Sequence, residues 1–204
     1  MRVLAATRSK GKQVELRRLL EPAGIEVVFP DDAGLWETPA EEALELAETF
    51  QGNARRKAEH FARLSGQPTV ADDSGLEVFA LGGAPGVRSR RWAGACGTPE
   101  EVDAANNAEL LRRLRGASEA RRRARYRCVL VYLEHADAVP RVFEGVCAGS
   151  ILEQPRGTGG FGYDPLFLSD ELDRTFGEAS AEEKDAVSHR GRAVRAFAGA
   201  VRAR

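Results

Sequence analysis

Arg125-Tyr126-Arg127-Cys128-Val129-Leu130-Val131-Tyr132-Leu133 is followed, beyond a turn near Pro140, by Val142-Phe143-Glu144-Gly145-Val146-Cys147-Ala148-Gly149-Ser150-Ile151-Leu152. Both runs are apolar and rich in β-branched and aromatic residues, and Arg125 and Arg127 alternate with Tyr126 and Cys128 as on a half-exposed strand. Two strands joined by one short turn predict an antiparallel pair. Upstream the pattern is different. Residues 2–6 read as a short buried strand, residues 11–20 as a helix with Val14, Leu16, Leu19 and Leu20 apolar, ended near Pro22 and Gly24, and residues 25–29 as a second strand. Alternating strands and helices suggest a parallel sheet, and the late pair breaks that alternation. The expected fold is therefore α/β, a mixed twisted sheet flanked by helices.

The chain has 204 residues, 43% hydrophobic and 30% charged, with a formal net charge of -1. A globule of about this length buries roughly 70% of its unfolded surface, which argues against disorder. No apolar run reaches the roughly 18 residues that span a bilayer, and residues 3–6 are too short for a signal-peptide core, so the cytoplasm is the expected compartment. Cys96, Cys128 and Cys147 are odd in number and lack CxxC spacing. They read as small core residues rather than as disulfide or zinc ligands. The balanced charge gives no ground for strong nonspecific binding to nucleic acid or anionic lipid.

Of 30 basic residues only Lys10, Lys12, Lys57 and Lys184 are lysines. A compact, rotatable ammonium suits a confined phosphate oxygen better than the planar arginine fork does, although retention on the surface explains isolated lysines equally well. Residues 31–48 carry seven acids and no base, and are expected to include an exposed loop. Thr49 is placed to cap a helix running to about residue 64, with Phe50, Ala54, Ala58 and Phe61 on one stripe. Lys57 falls on that stripe, where it must snorkel, pair with an acid or face an anion. Residues 69–71 and 76–79 read as two short strands separated by Asp72-Asp73-Ser74-Gly75, and residues 81–86 (LGGAPG) as a loop. Thr98 caps a helix over residues 98–114, with Pro99, Glu100 and Glu101 in its first turn. A last helix covers residues 188–204, with Ala193, Val194, Phe197, Ala200 and Val201 apolar.

Four segments carry candidate chemistry. Thr7, Arg8, Ser9, Lys10, Gly11 and Lys12 lie between a strand and a helix, where free amides, a hydroxyl and lysines form an anion site; an ordinary capped turn has the same composition, and the segment is not a Walker A sequence. Asp72 and Asp73 follow a strand and point in different directions, so that one anchors the chain while the other meets a cation or orients water. A plain Asx turn is the simpler reading of that pair. With Glu41, Glu42, Glu45 and Glu48 as a source of a second carboxylate and no His-Cys cluster nearby, a bound metal would be magnesium or manganese. Residues 157–165, Gly-Thr-Gly-Gly-Phe-Gly-Tyr-Asp-Pro, surround Phe161 with four glycines. They permit close approach of a ligand to a stacking face, or place Phe161 in the core. Glu182-Glu183-Lys184 and Ser188-His189-Arg190-Gly191 form the fourth segment, which also reads as a solvated charged face.

ATRSKGK, ADDSGLEV with LGGAPGVRSRRWAG, PRGTGGFGYDPLF and EEKDAVSHRGRA, in this order and over nearly the whole chain, resemble the inosine triphosphate pyrophosphatase family. The resemblance implies hydrolysis of non-standard purine nucleoside triphosphates (ITP, dITP, XTP) to the monophosphate and pyrophosphate, with magnesium, by a homodimer. It implies one domain over residues 1–204 with two lobes and a cleft between them. By matched position, Thr7, Arg8, Ser9, Lys10, Gly11, Lys12 and Lys57 would hold the triphosphate, and Glu45 and Asp73 the Mg2+ (or Mn2+), Asp73 also serving as general base. Ser74, Phe161, Gly162, Tyr163, Asp164, Lys184, His189 and Arg190 would complete the substrate site, the last two donating to the 6-keto group of the base. Ser9 replaces the family's usual asparagine, Gly52 a glutamate, and Arg88 a tyrosine. Two other functions share the sequence: a pyrophosphatase for another altered nucleotide, and a nucleic-acid-binding module built on Arg112, Arg113, Arg115, Arg121, Arg122, Arg123, Arg125 and Arg127. A solvated helix end and strand face is the simpler reading of those arginines.

Overall fold

The computed structural model describes residues 1–202. Its elements are β1 (Arg2–Ala5), α1 (Lys10–Leu20), β2 (Glu26–Val28), α2 (Phe50–Ser65), β3 (Thr69–Val78), α3 (Pro99–Arg113), β4 (Arg123–Leu133), β5 (Arg141–Ile151), β6 (Phe167–Ser169), β7 (Arg174–Thr175), α4 (Ala181–Val187) and α5 (His189–Arg202). The seven strands are ordered β2-β1-β3-β4-β5-β6-β7. β1 is parallel to β2 and β3, whereas β5, β6 and β7 run antiparallel. This is the mixed α/β sheet expected from the late strand pair. No helix among the described residues is long and apolar enough to cross a membrane.

The chain divides into two compact units, one formed by Met1–Asp73, Cys128–Gly145 and the chain from Arg190 onward, the other by Ser74–Arg127 and Val146–His189. In the first unit, strand alternation assigns the helices to faces. Val3 and Ala5 of β1, Val70 of β3 and Cys128, Leu130 and Tyr132 of β4 pack with Leu16 and Leu20 of α1 and Ala193, Val194 and Phe197 of α5. Their neighbours of opposite parity, Leu4, Ala71, Val131 and Leu133, pack with Ala54, Ala58, Phe61 and Ala62 of α2. A period of two along each strand thus gives one face to α1 and α5 and the other to α2. The second unit is built around Leu76, Leu110, Leu114, Tyr126, Tyr163, Phe167 and Phe176.

The helix starts follow from their caps. Thr49 Oγ1 accepts from the Gly52 amide at 3.0 Å, and Thr98 with Glu101 forms a capping box at α3. A Cβ on Gly52 would lie 2.8 Å from Ala47 Cβ and 3.0 Å from Thr49 Oγ1, so the glycine keeps this cap and the preceding chain close.

Several expectations are corrected. Asp72-Asp73-Ser74-Gly75 is not a turn: β3 runs straight through it, because both acids find partners on their own faces of the strand. The last helix is found as α5, but a further helix that was not expected, α4, capped by Ser180 and Glu183, precedes it, with Ser188 in extended backbone between them. Residues 203–204 of the expected helix lie outside the described residues. Val14 is 59% exposed, and Glu15 takes the buried place beside it. Cys96 is exposed, while Cys128 and Cys147 are buried as expected. The acidic stretch includes a 3₁₀ helix at Pro39–Glu45.

Candidate active site

Asp72 and Asp73 inherit the two faces of β3. Asp72 shares parity with Val70 and so faces α1 and α5, where its Oδ2 accepts from Lys12 Nζ at 2.9 Å and from Arg190 Nε and Nη2 at 3.3 Å each. Arg190, itself buried, also donates to Glu15 of α1. Burial alone would raise the Asp72 pKa, but the charges of Lys12, Arg190 and Lys57 hold it well below the usual carboxylate range. Arg190 is correspondingly raised: its desolvation is outweighed by Asp72 and Glu15. The guanidinium expected to meet a purine base is instead turned to two buried carboxylates that require a cation.

Asp73 shares parity with Ala71 and faces α2. Its Oδ2 accepts from Asn53 Nδ2 at 2.9 Å, and its Oδ1 lies 3.4 Å from Lys57 Nζ. The same ammonium is 2.9 Å from Glu45 Oε1, at the end of the 3₁₀ helix. Burial would lower the Lys57 pKa, yet Asp73, Glu45 and Asp72 together keep it above the ordinary lysine value. Asn53 Oδ1 accepts from the Ala47 amide at 2.8 Å, so one amide side chain ties Asp73 to the chain just beyond Glu45.

Among the described residues no three His, Cys, Asp or Glu side chains form a ready cage for a metal. Glu45 and Asp73 nevertheless converge on one cation, the Lys57 ammonium. Two carboxylates with the other positions left to water and phosphate are a common donor set for magnesium, so this pair suits a hard divalent ion.

The loop before α1 has the expected open amides: Ser9 occupies the N-cap with no side-chain cap, and no acid lies in the first turn. Thr7 Oγ1 accepts from the Ser9 amide at 3.3 Å, and Lys10 is exposed, with Nζ 3.3 Å from Gln13 Oε1. Gly11 lies in the first turn of α1. Arg8 departs from its expected place. Its guanidinium is bound by Glu41, Asp31 and the Leu35 carbonyl, a concentration of acceptors that draws it to the acidic segment.

The second unit holds the remaining candidates. Phe161 is half-buried rather than in the core, with Lys184 Nζ 4.9 Å from its ring centroid. Lys184 Nζ donates to Asp164 Oδ2 at 2.6 Å, and the same oxygen accepts from the Phe161 amide at 2.8 Å. Gly160 has φ +72°, and a Cβ there would run into the Asp164 carboxylate. Asp103 Oδ2 accepts from the Gly162 amide at 2.6 Å, Asn107 Nδ2 donates to the Gly162 carbonyl at 2.8 Å, and Tyr163 Oη donates to the Ser89 carbonyl at 2.8 Å. His189 is buried and stacks on Tyr126, with centroids 4.6 Å apart and planes within 8°. Ser74 follows Asp73 in β3, half-buried.

A family model described as the Ham1 family matches residues 3–200. The chain belongs to the Ham1 family. Among its Ham1 relatives is a dITP/XTP pyrophosphatase of Ralstonia nicotianae, 47% identical over 95% of this chain and 92% of the relative. Another, of Shigella flexneri and also named dITP/XTP pyrophosphatase, is 44% identical over 98% of both. A HAM1 protein from Coxiella burnetii of known structure is 34% identical and superposes with a TM-score of 0.86 over 100% of both chains.

Within this Ham1 chain the structure brings Lys12, Lys57, Glu45 and Asp73 together with Asp72 in the first unit, and Phe161, Asp164 and Lys184 together in the second. Asn53 was missed. The signal was present, since Asn53 lies three residues after Phe50 and four before Lys57 on the same apolar stripe. Glu15, Asp103 and Asn107 were missed as well, being charged or polar residues without a motif. The arginine-rich stretch is largely paired: Arg112 and Arg113 with Glu109, Arg123 with Asp170 and Arg125 with Glu77, while Arg122 is buried against the carbonyls of Leu114, Ala117 and Leu152.

Proposed function

We propose that this chain hydrolyses ITP, dITP and XTP to the nucleoside monophosphate and pyrophosphate, clearing non-standard purine nucleotides from the pool. The observation that carries the reading is the convergence of Glu45 and Asp73 on one cation position, together with an uncapped helix start whose Lys12 is bonded to the adjacent Asp72. Negative charge builds on the transferring and leaving oxygens in phosphoryl transfer, so a site for it needs cations and a positioned nucleophile more than covalent chemistry.

Thr7, Ser9, Lys10 and Gly11 present hydroxyls, an ammonium and amides to the phosphate tail, and Lys12 and Lys57 neutralise it. Asn53 fixes the plane of the Asp73 carboxylate through Oδ2. Asp73 takes a proton from a water as that water's oxygen attacks the α phosphorus. The α–β bridging bond then breaks, and its electron pair leaves on pyrophosphate. Glu45 and Asp73 would hold Mg2+, with Mn2+ as the alternative, which supplies charge neutralisation at the phosphates.

Phe161, steadied by Gly162 and Tyr163, offers the purine a stacking face, and Lys184 with Asp164 and Ser74 completes the substrate contacts. His189, held in orientation by the Tyr126 ring, donates to the 6-keto oxygen of the base. Adenine presents a 6-amino donor there and would leave the histidine unpaired, a mismatch that discriminates strongly. Arg190 serves this arrangement by anchoring Asp72 rather than by touching the base. The same reading takes residues 1–204 as one catalytic domain, homodimeric and cytoplasmic. Pyrophosphate release from a panel of purine and pyrimidine triphosphates, with and without Mg2+, tests it. Release from ITP, dITP and XTP well above ATP is expected; preference for a modified pyrimidine would assign the chain to another altered nucleotide.

A further inference from the structure

The acidic segment that leads to Glu45 has little apolar packing to hold it. None of the residues of the Pro39–Glu45 3₁₀ helix is buried, and Ala33, Leu35 and Leu44 are only partly covered by the α2-side core. Apolar burial of this extent fixes a chain weakly. Arg17 holds Asp32 at its start, and Lys57 and Asn53 hold Glu45 and Ala47 at its end; its middle is gripped by one side chain from the loop before α1. Arg8 Nε and Nη2 form a fork on Glu41, 2.8 Å and 2.7 Å from its two oxygens; Nη2 also reaches the Leu35 carbonyl at 3.0 Å, and Nη1 binds Asp31. The guanidinium lies 5.8 Å from the centroid of Phe61 in α2. Glu41 in turn closes the capping box of the 3₁₀ helix with Thr38, and Glu45 ends that helix one turn later. Burial would raise the Glu41 pKa and lower that of Arg8, yet the pairing reverses both directions. A bidentate fork of this kind defines orientation as well as attraction.

We infer that Arg8 is a positioning residue for the divalent cation, clamping the helix that carries Glu45 so that its carboxylate stays opposite Asp73. The inference rests on the reading that Glu45 and Asp73 hold that cation. It assigns Arg8 a role different from phosphate binding, and it makes Glu41, which contacts no candidate ligand, matter to metal affinity.

The test uses the full chain with Trp92→Phe, which leaves Trp36, in the clamped segment, as the sole tryptophan. Mn2+ binding is followed by electron paramagnetic resonance, and the Trp36 anisotropy is read with no cation present. Arg8→Ala and Glu41→Gln are each expected to weaken Mn2+ binding by about 10-fold or more, the usual range for residues that support a metal ligand, and to lower the Trp36 anisotropy. Arg8→Lys, which keeps the charge but loses the fork, is expected to restore less than half of either change. A lowered melting temperature with Mn2+ affinity and Trp36 anisotropy unchanged would overturn the inference and leave Arg8 a merely structural residue. A parent protein that binds no Mn2+ would instead defeat the metal reading itself, and the cation-free anisotropy separates these two failures.

Discussion

Asp72 and Asp73 are adjacent in β3 and are held by opposite helices: Lys12 Nζ of α1 is 2.9 Å from Asp72 Oδ2, and Asn53 Nδ2 of α2 is 2.9 Å from Asp73 Oδ2. The period of two along a strand makes the two carboxylates unequal in environment despite their identical chemistry. Asp72 lies among cations and is only 3% exposed, which suits an anchor. Asp73 shares Lys57 with Glu45, which suits a group that meets a cation and a water.

Asp73→Asn keeps the shape of the side chain and removes its capacity to accept a proton. Turnover of ITP is expected to fall by about 10²-fold or more, the scale of general base catalysis, with substrate affinity nearly intact. Steady-state kinetics together with calorimetric titration of ITP check both halves, and unchanged turnover would remove Asp73 as the base.

Asp72→Asn leaves Arg190 and Lys12 short of a carboxylate in a buried place. Loss of one partner of a buried pair costs about 3–5 kcal/mol, measurable by urea unfolding at pH 7. The pH dependence has a definite sign. The Asp72 pKa is depressed in the folded protein, so its contribution is complete above the unfolded value of about 4 and is lost as pH falls through the folded one. The stability difference between the parent and Asp72→Asn is therefore expected to narrow progressively below about pH 4. A gap that stayed constant from pH 7 to pH 3 would contradict the burial of an ionised Asp72.

Phe161→Ala removes the flat face beside Lys184 without touching Asp73. Base stacking on an aromatic is worth about 1–3 kcal/mol, so the KM for ITP is expected to rise by about 5- to 150-fold while kcat changes little. Equal KM values in parent and variant would show that the base does not stack there.

His189→Ala is expected to narrow the ratio of kcat/KM for ITP over ATP, because the donor that rewards a 6-keto oxygen is gone. Replacement by Phe, which retains a ring against Tyr126, separates stacking from hydrogen bonding: the same narrowed ratio in both variants assigns discrimination to the donor.

The sequence made the sheet type legible through the late strand pair, and the caps Thr49 and Thr98 because their side chains act locally. Lys57 was legible too, since a lysine on an apolar stripe needs an explanation. The local composition of Asp72-Asp73-Ser74-Gly75 favours a turn, and nothing local signals the strand that forms there. The partners that keep it extended come from α1, α2 and α5, between 16 and 118 residues away along the chain. The ion pairs of Arg8 and Arg190 have no signature in the sequence for the same reason: their acceptors Glu41, Asp31, Glu15 and Asp72 are distant along the chain, and charge pairing across such distances leaves no periodic trace. The glycines around Phe161 announced a close approach, but not that Asp164 would fill the space beside Gly160.

Hydrolysis of ITP in water enriched in ¹⁸O, followed by mass spectrometry of the products, tests most directly whether Asp73 delivers a water to the α phosphorus. The label is expected in inosine monophosphate, with unlabelled pyrophosphate as the other product and label uptake by Asp73→Asn slowed in proportion to its turnover. Label in orthophosphate with release of inosine diphosphate would place the attack at the γ phosphorus and contradict the assignment of this site.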